Sequence, residues 1–283
     1  MKHYKEFNIT AEPFLPEIIC GLMWELDITG INEDVNCVKV FANEESTVSV
    51  NLISDILDKL IGEKMLFNFS VEENLVEEKN WNEEWEKSVN VIEVTDKLVI
   101  KPTFKDYLAK PGQIIITIDP KMSFGTGEHQ TTKLVMQFLE TSVNHGIKVL
   151  DVGSGTGVLA IAAVKLGAES AIALDNDEWC FNNGSENVKL NEVDNVIDVR
   201  LGEIKNIPEK DFDLITANIQ KNILMDIAEN FKKRLKPEGL LILSGLLYND
   251  EEDIIKKYSA LSFELLEKKI LDEWIALKLK LVD

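Results

Sequence analysis

Between an apolar run and a helical stripe, this chain places Asp151-Val-Gly-Ser-Gly-Thr-Gly157, with a glycine at every second position. Ile147–Asp151 reads as a short buried strand and Val158–Leu166 as the helix that follows it, ended by Gly167. Glycine has no Cβ, so the turn between them can take positive φ and bring main chain close to a ligand. An acid at the end of such a strand stands where open parallel sheets bind ligands. A strand that must turn so sharply into a helix points to an α/β sheet.

The rhythm after residue 89 extends that reading. Ala171–Asp175 is a second strand, followed by a helix over Glu178–Asn191; Val196–Leu201 is a third strand and Asp213–Asn218 a fourth. A helix over Asn222–Leu235 is stopped at Lys236-Pro-Glu-Gly239, and Leu240–Ser244 is a fifth strand. Repeated crossovers imply a parallel sheet with helices on both faces. The tail differs. Phe263–Leu271 and Trp274–Leu281 form two strands with almost no connection, with Ile275, Leu277, Leu279 and Leu281 alternating. They must pair as a hairpin, so one runs antiparallel to the rest.

Residues 1–72 read differently, as strand, helix, strand, strand, helix, strand. The apolar stripe from Phe14 to Leu26 has helical spacing, and Ser46 or Thr47 is the expected cap of a second helix through Leu60. This βαββαβ order is the ferredoxin-like pattern, a small α+β domain. Residues 73–88 are expected to be an acidic linker with a helix near 81–87, whose Trp81 and Trp85 share a face. Residues 89–283 then form the α/β domain.

Composition narrows the chemistry. With 283 residues the chain is long enough for two domains, and its 50 acids against 30 bases leave a formal charge of −20. That disfavours nucleic acid, which needs a basic surface, and favours basic partners. Residues 1–80 alone carry 16 acids and 6 lysines. Three scattered cysteines and three scattered histidines suggest neither a disulfide framework nor a metal site. The start has no long apolar stretch, and no run approaches a membrane span, so a cytoplasmic protein is expected.

A dinucleotide site wants Gly-x-Gly-x-x-Gly; here Val158 stands where the third glycine should be. The actual pattern, Asp-x-Gly-x-Gly-x-Gly, resembles the first motif of class I S-adenosylmethionine methyltransferases. Asp175 ends the next strand, about twenty residues on, where an acid accepts ribose hydroxyls. A second segment, Asp119-Pro-Lys-Met-Ser-Phe-Gly-Thr-Gly-Glu-His-Gln-Thr-Thr132, precedes a helix over Lys133–Leu139. Its threonines are expected to cap that helix, whose N-terminus suits a carboxylate. A third, Thr216-Ala-Asn-Ile-Gln220, ends the fourth strand with an asparagine, which offers both donor and acceptor.

Together with Trp81-Asn-Glu-Glu-Trp85, Leu98-Val-Ile-Lys-Pro102, Ala173-Leu-Asp-Asn-Asp177 and Leu243-Ser-Gly-Leu-Leu247, these segments resemble the ribosomal protein L-eleven methyltransferase family along the whole chain. The resemblance implies a class I methyltransferase fold, a Rossmann-like seven-stranded sheet with a C-terminal antiparallel hairpin, behind a ferredoxin-like substrate-recognition domain. It implies S-adenosyl-L-methionine as cofactor, held by Thr132, Gly153, Asp175 and Asn218, with Asp151, Gly155 and Phe124 as further contacts. Asn218 would also orient the substrate amine. The implied substrate is ribosomal protein L-eleven, free or ribosome-assembled, methylated at lysines and at its N-terminal amine by a monomeric enzyme. The chain departs from the family at Gln130, where a proline is usual, and at Gln220, Lys221 and Asn222 after the fourth strand. A methyltransferase of the same fold acting on another protein lysine or on a small amine is the alternative, and a non-catalytic binding module or a dehydrogenase are the competing classes.

Overall fold

The computed structural model describes residues 3–77, 89–119, 125 and 127–282. The chain divides into two units, Met1–Glu86 and Lys87–Asp283.

In the first unit, β1 (His3–Glu12), α1 (Pro16–Met23), β2 (Gly30–Asp34), β3 (Cys37–Asn43), α2 (Val50–Gly62) and β4 (Asn68–Glu77) follow in chain order. The sheet order is β2-β3-β1-β4, and every pairing is antiparallel. This is the split βαβ arrangement, in which each helix connects two strands that are not neighbours. Alternate residues Phe7, Ile9, Val38, Val40 and Ala42 turn one sheet face onto Ile19, Met23, Ile53 and Leu57 of the helices. Each such side chain stabilises the unit by roughly 1.5–3 kcal/mol through burial.

Two expectations need correction here. The cap of α2 is Ser49, whose hydroxyl accepts the Leu52 amide at 3.3 Å, and not Ser46 or Thr47. The Ser46 hydroxyl instead donates to the Asp27 carbonyl at 2.8 Å and fastens the preceding loop. Strand β4 also runs on to Glu77, so residues 73–77 belong to the sheet rather than to a linker. Its residues pair along the whole of β1, and that ladder outweighs the acidic composition. The expected helix near 81–87, with Trp81 and Trp85, lies outside the described residues.

The second unit contains β5 (Ile92–Glu93), β6 (Leu98–Pro102), β7 (Ile114–Ile118), α3 (Gln130–Ser142), β8 (Lys148–Val152), α4 (Val158–Leu166), β9 (Ser170–Asp175), α5 (Glu178–Leu190), β10 (Ile197–Leu201), β11 (Phe212–Asn218), α6 (Lys221–Lys232), β12 (Leu235–Leu247), α7 (Glu251–Ser259), β13 (Phe263–Leu271) and β14 (Trp274–Leu281). Seven strands form one sheet in the order β10-β9-β8-β11-β12-β14-β13. The first five are parallel, and β14 inserts antiparallel between β12 and β13. The hairpin strands have the bounds that their alternation predicts.

Parallel strands buried on both faces should be nearly all apolar, and β11 is buried at every position except Asp213. One core cluster, with Leu134, Phe138, Ile161 and Val188, brings α3, α4 and α5 to one face. A second, with Leu224, Phe231, Ile254 and Tyr258, brings α6 and α7 to the other. Two features were not anticipated from the sequence. Residues 92–118 form a separate three-stranded sheet, β5-β6-β7. Helix α7 fills the connection before the hairpin. The apolar run at 98–100, the β-branched run at 114–116 and the spacing of Ile254, Ile255 and Tyr258 are the available signals.

Candidate functional site

Strand β8 delivers the chain to the glycine turn. Gly153, Gly155 and Gly157 have φ of 74°, 53° and 78°, all in the left-handed region that disfavours side chains. A Cβ on Gly153 would lie 2.2 Å from Ile219 Cγ2. Gly157 occupies the N-cap of α4 with no side-chain cap, which leaves that helix start to its own backbone.

Asp175, at the end of β9, reaches back to this turn. Its Oδ2 accepts the Gly155 amide at 2.8 Å, and its Oδ1 accepts the Asp177 amide at 3.0 Å. Each carboxylate oxygen has two acceptor sites, so both keep one for an incoming hydroxyl. The same carboxylate therefore holds the turn in shape and remains able to bind.

Asp151 lies beneath the turn and is fully buried. The Thr216 hydroxyl donates to its Oδ1 at 2.8 Å, while Oδ2 has no hydrogen-bond partner. Burial pushes the carboxyl up to about 7, against the opposing pull of the Thr216 hydroxyl and of the Ala160 amide; the nearby Asp175 carboxylate raises it further. Removing a charge from water is costly, and the Thr216 hydroxyl and the Ala160 amide compensate only part of that cost.

Strand β11 brings Asn218 to the same edge of the sheet. Its Nδ2 donates to Thr132 Oγ1 at 3.4 Å, and its buried Oδ1 has no partner. Thr132, the third residue of α3, is likewise buried. The threonines do not cap α3, contrary to expectation: His129 is the N-cap, and its ring nitrogen accepts the Thr131 amide at 3.3 Å. The His129 ring also packs edge-on against Trp274 at 4.7 Å, and Gln130 Nε2 donates to Asp272 Oδ2 at 3.0 Å. Gln130, the residue that departs from the family pattern, thus ties the start of α3 to the β13–β14 turn.

A cavity of about 290 Å³ opens beside the turn, lined among others by Gly153, Asp175, Glu203, Ile204, Ile219 and Ile223. It lies at the carboxyl ends of the parallel strands, where such sheets bind ligands. Gly153 and Asp175 line it, and Gly155 and Asp151 do not. Thr132 and Asn218 form a second pair, joined to the cavity through Ile219, which follows Asn218 and touches Gly153. Phe124 lies outside the described residues. The apolar wall of Ile204, Ile219 and Ile223 and the Thr216 partner of Asp151 were not singled out from the sequence. Such contacts leave no motif, because ordinary core residues supply them. Among the described residues no cluster of His, Cys, Asp and Glu could hold a metal ion. No helix among them is long and apolar enough to cross a membrane.

The sequence matches the family described as Ribosomal protein L11 methyltransferase (PrmA) over residues 22–281. The ribosomal protein L11 methyltransferase of Caldanaerobacter subterraneus subsp. tengcongensis is 33% identical over 304 residues, covering 97% of this chain and 98% of that protein. That of Acetivibrio thermocellus is 38% identical over 208 residues, covering 74% of this chain and 66% of that protein. Among solved structures, the ribosomal protein L11 methylase of Lactobacillus delbrueckii subsp. bulgaricus matches with a TM-score of 0.65 and 34% identity, over 69% of this chain and 100% of that one.

Proposed function

The chain belongs to the ribosomal protein L11 methyltransferase family, and we propose that it methylates lysine side chains and the N-terminal amine of ribosomal protein L11 with S-adenosyl-L-methionine. The observation that carries this reading is Asn218: a buried amide whose Oδ1 is unpaired, held beside Thr132 and one residue from the cavity wall. An orphaned acceptor costs stability unless a ligand or substrate donor completes it. An attacking amine carries N–H groups suited to that oxygen.

The residues present fit the cofactor. Ile204, Ile219 and Ile223 offer an apolar wall for the base, and the free acceptor sites of Asp175 suit the two ribose hydroxyls. The bare backbone at Gly153 allows close approach, and Thr132 with the first turn of α3 suits the carboxylate of the methionyl end. When bound, the cofactor supplies a methyl group activated by its sulfonium.

The protein's task is then to present a neutral amine. A free lysine must lose a proton at a cost of about 4.6 kcal/mol at pH 7. The dry surroundings of Asn218 disfavour the charged ammonium and lower that cost. Asn218 Oδ1 accepts one N–H and so aims the lone pair, which makes orientation the chief contribution of this side chain. No side chain in the cavity lining is assigned as the base; the proton leaves to solvent. The acidic balance of residues 1–80 favours capture of a basic protein substrate by a monomeric cytoplasmic enzyme.

Incubation with labelled cofactor and purified ribosomal proteins, followed by mass analysis, tests the reading. Label on lysines and on the N-terminus of L11 is expected. Label confined to another protein would overturn the substrate assignment, and failure to bind the cofactor would overturn the chemistry.

A further inference from the structure

Helix α5 and its C-cap bury three asparagines that methyl transfer does not require. Asn183, Asn187 and Asn191 recur at every fourth residue, share one face and are all buried. A polar face turned inward is costly unless every amide finds partners. Here the partners of Asn187 and Asn191 are mostly backbone, while Asn183 Nδ2 has none. Gly184 lets α5 come close, for a Cβ there would stand 3.2 Å from the Gly155 carbonyl oxygen.

Asn191 accepts the Thr117 amide at 3.0 Å and donates to the Thr117 carbonyl at 2.6 Å, as a neighbouring strand would. Asn187 reaches further. Its Oδ1 accepts the Asp119 amide at 2.8 Å, and its Nδ2 donates to the Thr156 carbonyl at 3.0 Å. It also donates to Asn183 Oδ1 at 3.2 Å. Asp119 opens the segment that leads to Thr132, and Thr156 belongs to the glycine turn. From the same turn the Thr156 hydroxyl donates to the Gly125 carbonyl at 2.8 Å.

We propose that Asn187 is a positioning residue for the cofactor site. One side chain joins the start of the Asp119–Thr132 segment to the glycine turn, and so sets the spacing between the two halves of the site before a ligand arrives. Thr156 adds the second tie, at Gly125. Asn187 is not among the cavity-lining residues, so it acts through the segments it joins. The inference rests on the reading that S-adenosylmethionine binds between those segments.

Asn191 provides the control. It lies on the same face, is also buried and also bonds the end of β7, but its hydrogen bonds do not reach the glycine turn. Calorimetric titration of Asn187→Ala and Asn191→Ala with S-adenosylmethionine separates positioning from general stability. Asn187→Ala is expected to weaken the dissociation constant about tenfold and Asn191→Ala less than threefold, even where their melting temperatures fall equally. In turnover, the KM for the cofactor should rise in Asn187→Ala while kcat stays within threefold. A ratio of the two variants' dissociation constants below threefold overturns the proposal. Should Asn187→Ala not fold, the near-isosteric Asn187→Asp keeps the acceptor for the Asp119 amide and removes the donor to the Thr156 carbonyl; at least a threefold loss of affinity is expected, and a smaller loss overturns the proposal. Wild-type protein that does not bind the cofactor would refute the reading of the site itself, a separate result.

Discussion

Asn218 Nδ2 donates to Thr132 Oγ1 at 3.4 Å across 86 residues of chain, and leaves the Asn218 Oδ1 buried without a partner. The donor half of the amide is used to fix the side chain, and the acceptor half is held ready. A carboxylate could not divide its roles in this way, because it has no hydrogen to give Thr132.

Asn218→Ala should therefore impair chemistry more than cofactor binding. Loss of amine orientation is expected to lower kcat by about 10²-fold, the scale of a small misplacement at a reacting centre. Steady-state kinetics with L11, alongside calorimetry with S-adenosylmethionine, checks this. A variant with unchanged kcat would remove Asn218 from the reaction.

Asp175→Ala should abolish measurable cofactor binding near micromolar concentrations. Hydrogen bonds to a charged group contribute about 1.5–3 kcal/mol each, so losing the proposed ribose contacts would weaken binding by about 10²-fold or more. The variant also frees the Gly155 amide, so it should lose some thermal stability. Titration calorimetry and a melting curve read the two effects separately.

Gly153→Ala meets two obstacles. Its φ of 74° disfavours a side chain, and the new Cβ would lie 2.2 Å from Ile219 Cγ2. The backbone strain alone is worth about 1–3 kcal/mol. Adding Ile219→Ala removes the clash but not the strain, so the double variant should melt above Gly153→Ala by less than the full deficit. If the second substitution gives no recovery, the contact between Gly153 and Ile219 is wrong.

Asp151 predicts a pH dependence of stability. Its folded pKa lies at about 7, against an ordinary 3.8 in the unfolded chain. The native state thus holds a proton that the unfolded state has released, and stability falls as pH rises from about 4 to about 7. Asp151→Asn keeps the acceptor for Thr216 and removes the titration. Its stability relative to wild type should rise between pH 5 and pH 8, by about 2–3 kcal/mol at most. Urea unfolding of both proteins at the two pH values measures it; parallel curves would show that Asp151 titrates normally.

Much of this site is legible in the primary structure because local rules govern it. Gly153 and Asp175 sit where a glycine-rich turn and the end of the next strand must put them, whatever surrounds them. His129 rather than a threonine caps α3 because the preference for threonine at a helix start is weak beside the contacts of His129 with Trp274 and of Gln130 with Asp272. In the three-stranded sheet only β6 and β7 carry a local signal, as apolar runs, while β5 has two residues, too few for a period to emerge.

From the sequence alone come the alternation of strands and helices, the glycine turn with its flanking acids, and the bounds of the final hairpin, since each depends on residues within a few positions of one another. Tertiary structure alone decided that β14 enters between β12 and β13, that Thr132 meets Asn218, that Asp151 keeps an unpaired oxygen, and that Asn187 ties two segments together. Those facts depend on where crossovers deliver strand ends and helix faces tens of residues apart. A buried polar atom takes whatever partner the packing leaves within about 3 Å of it, and no local pattern encodes which one that will be.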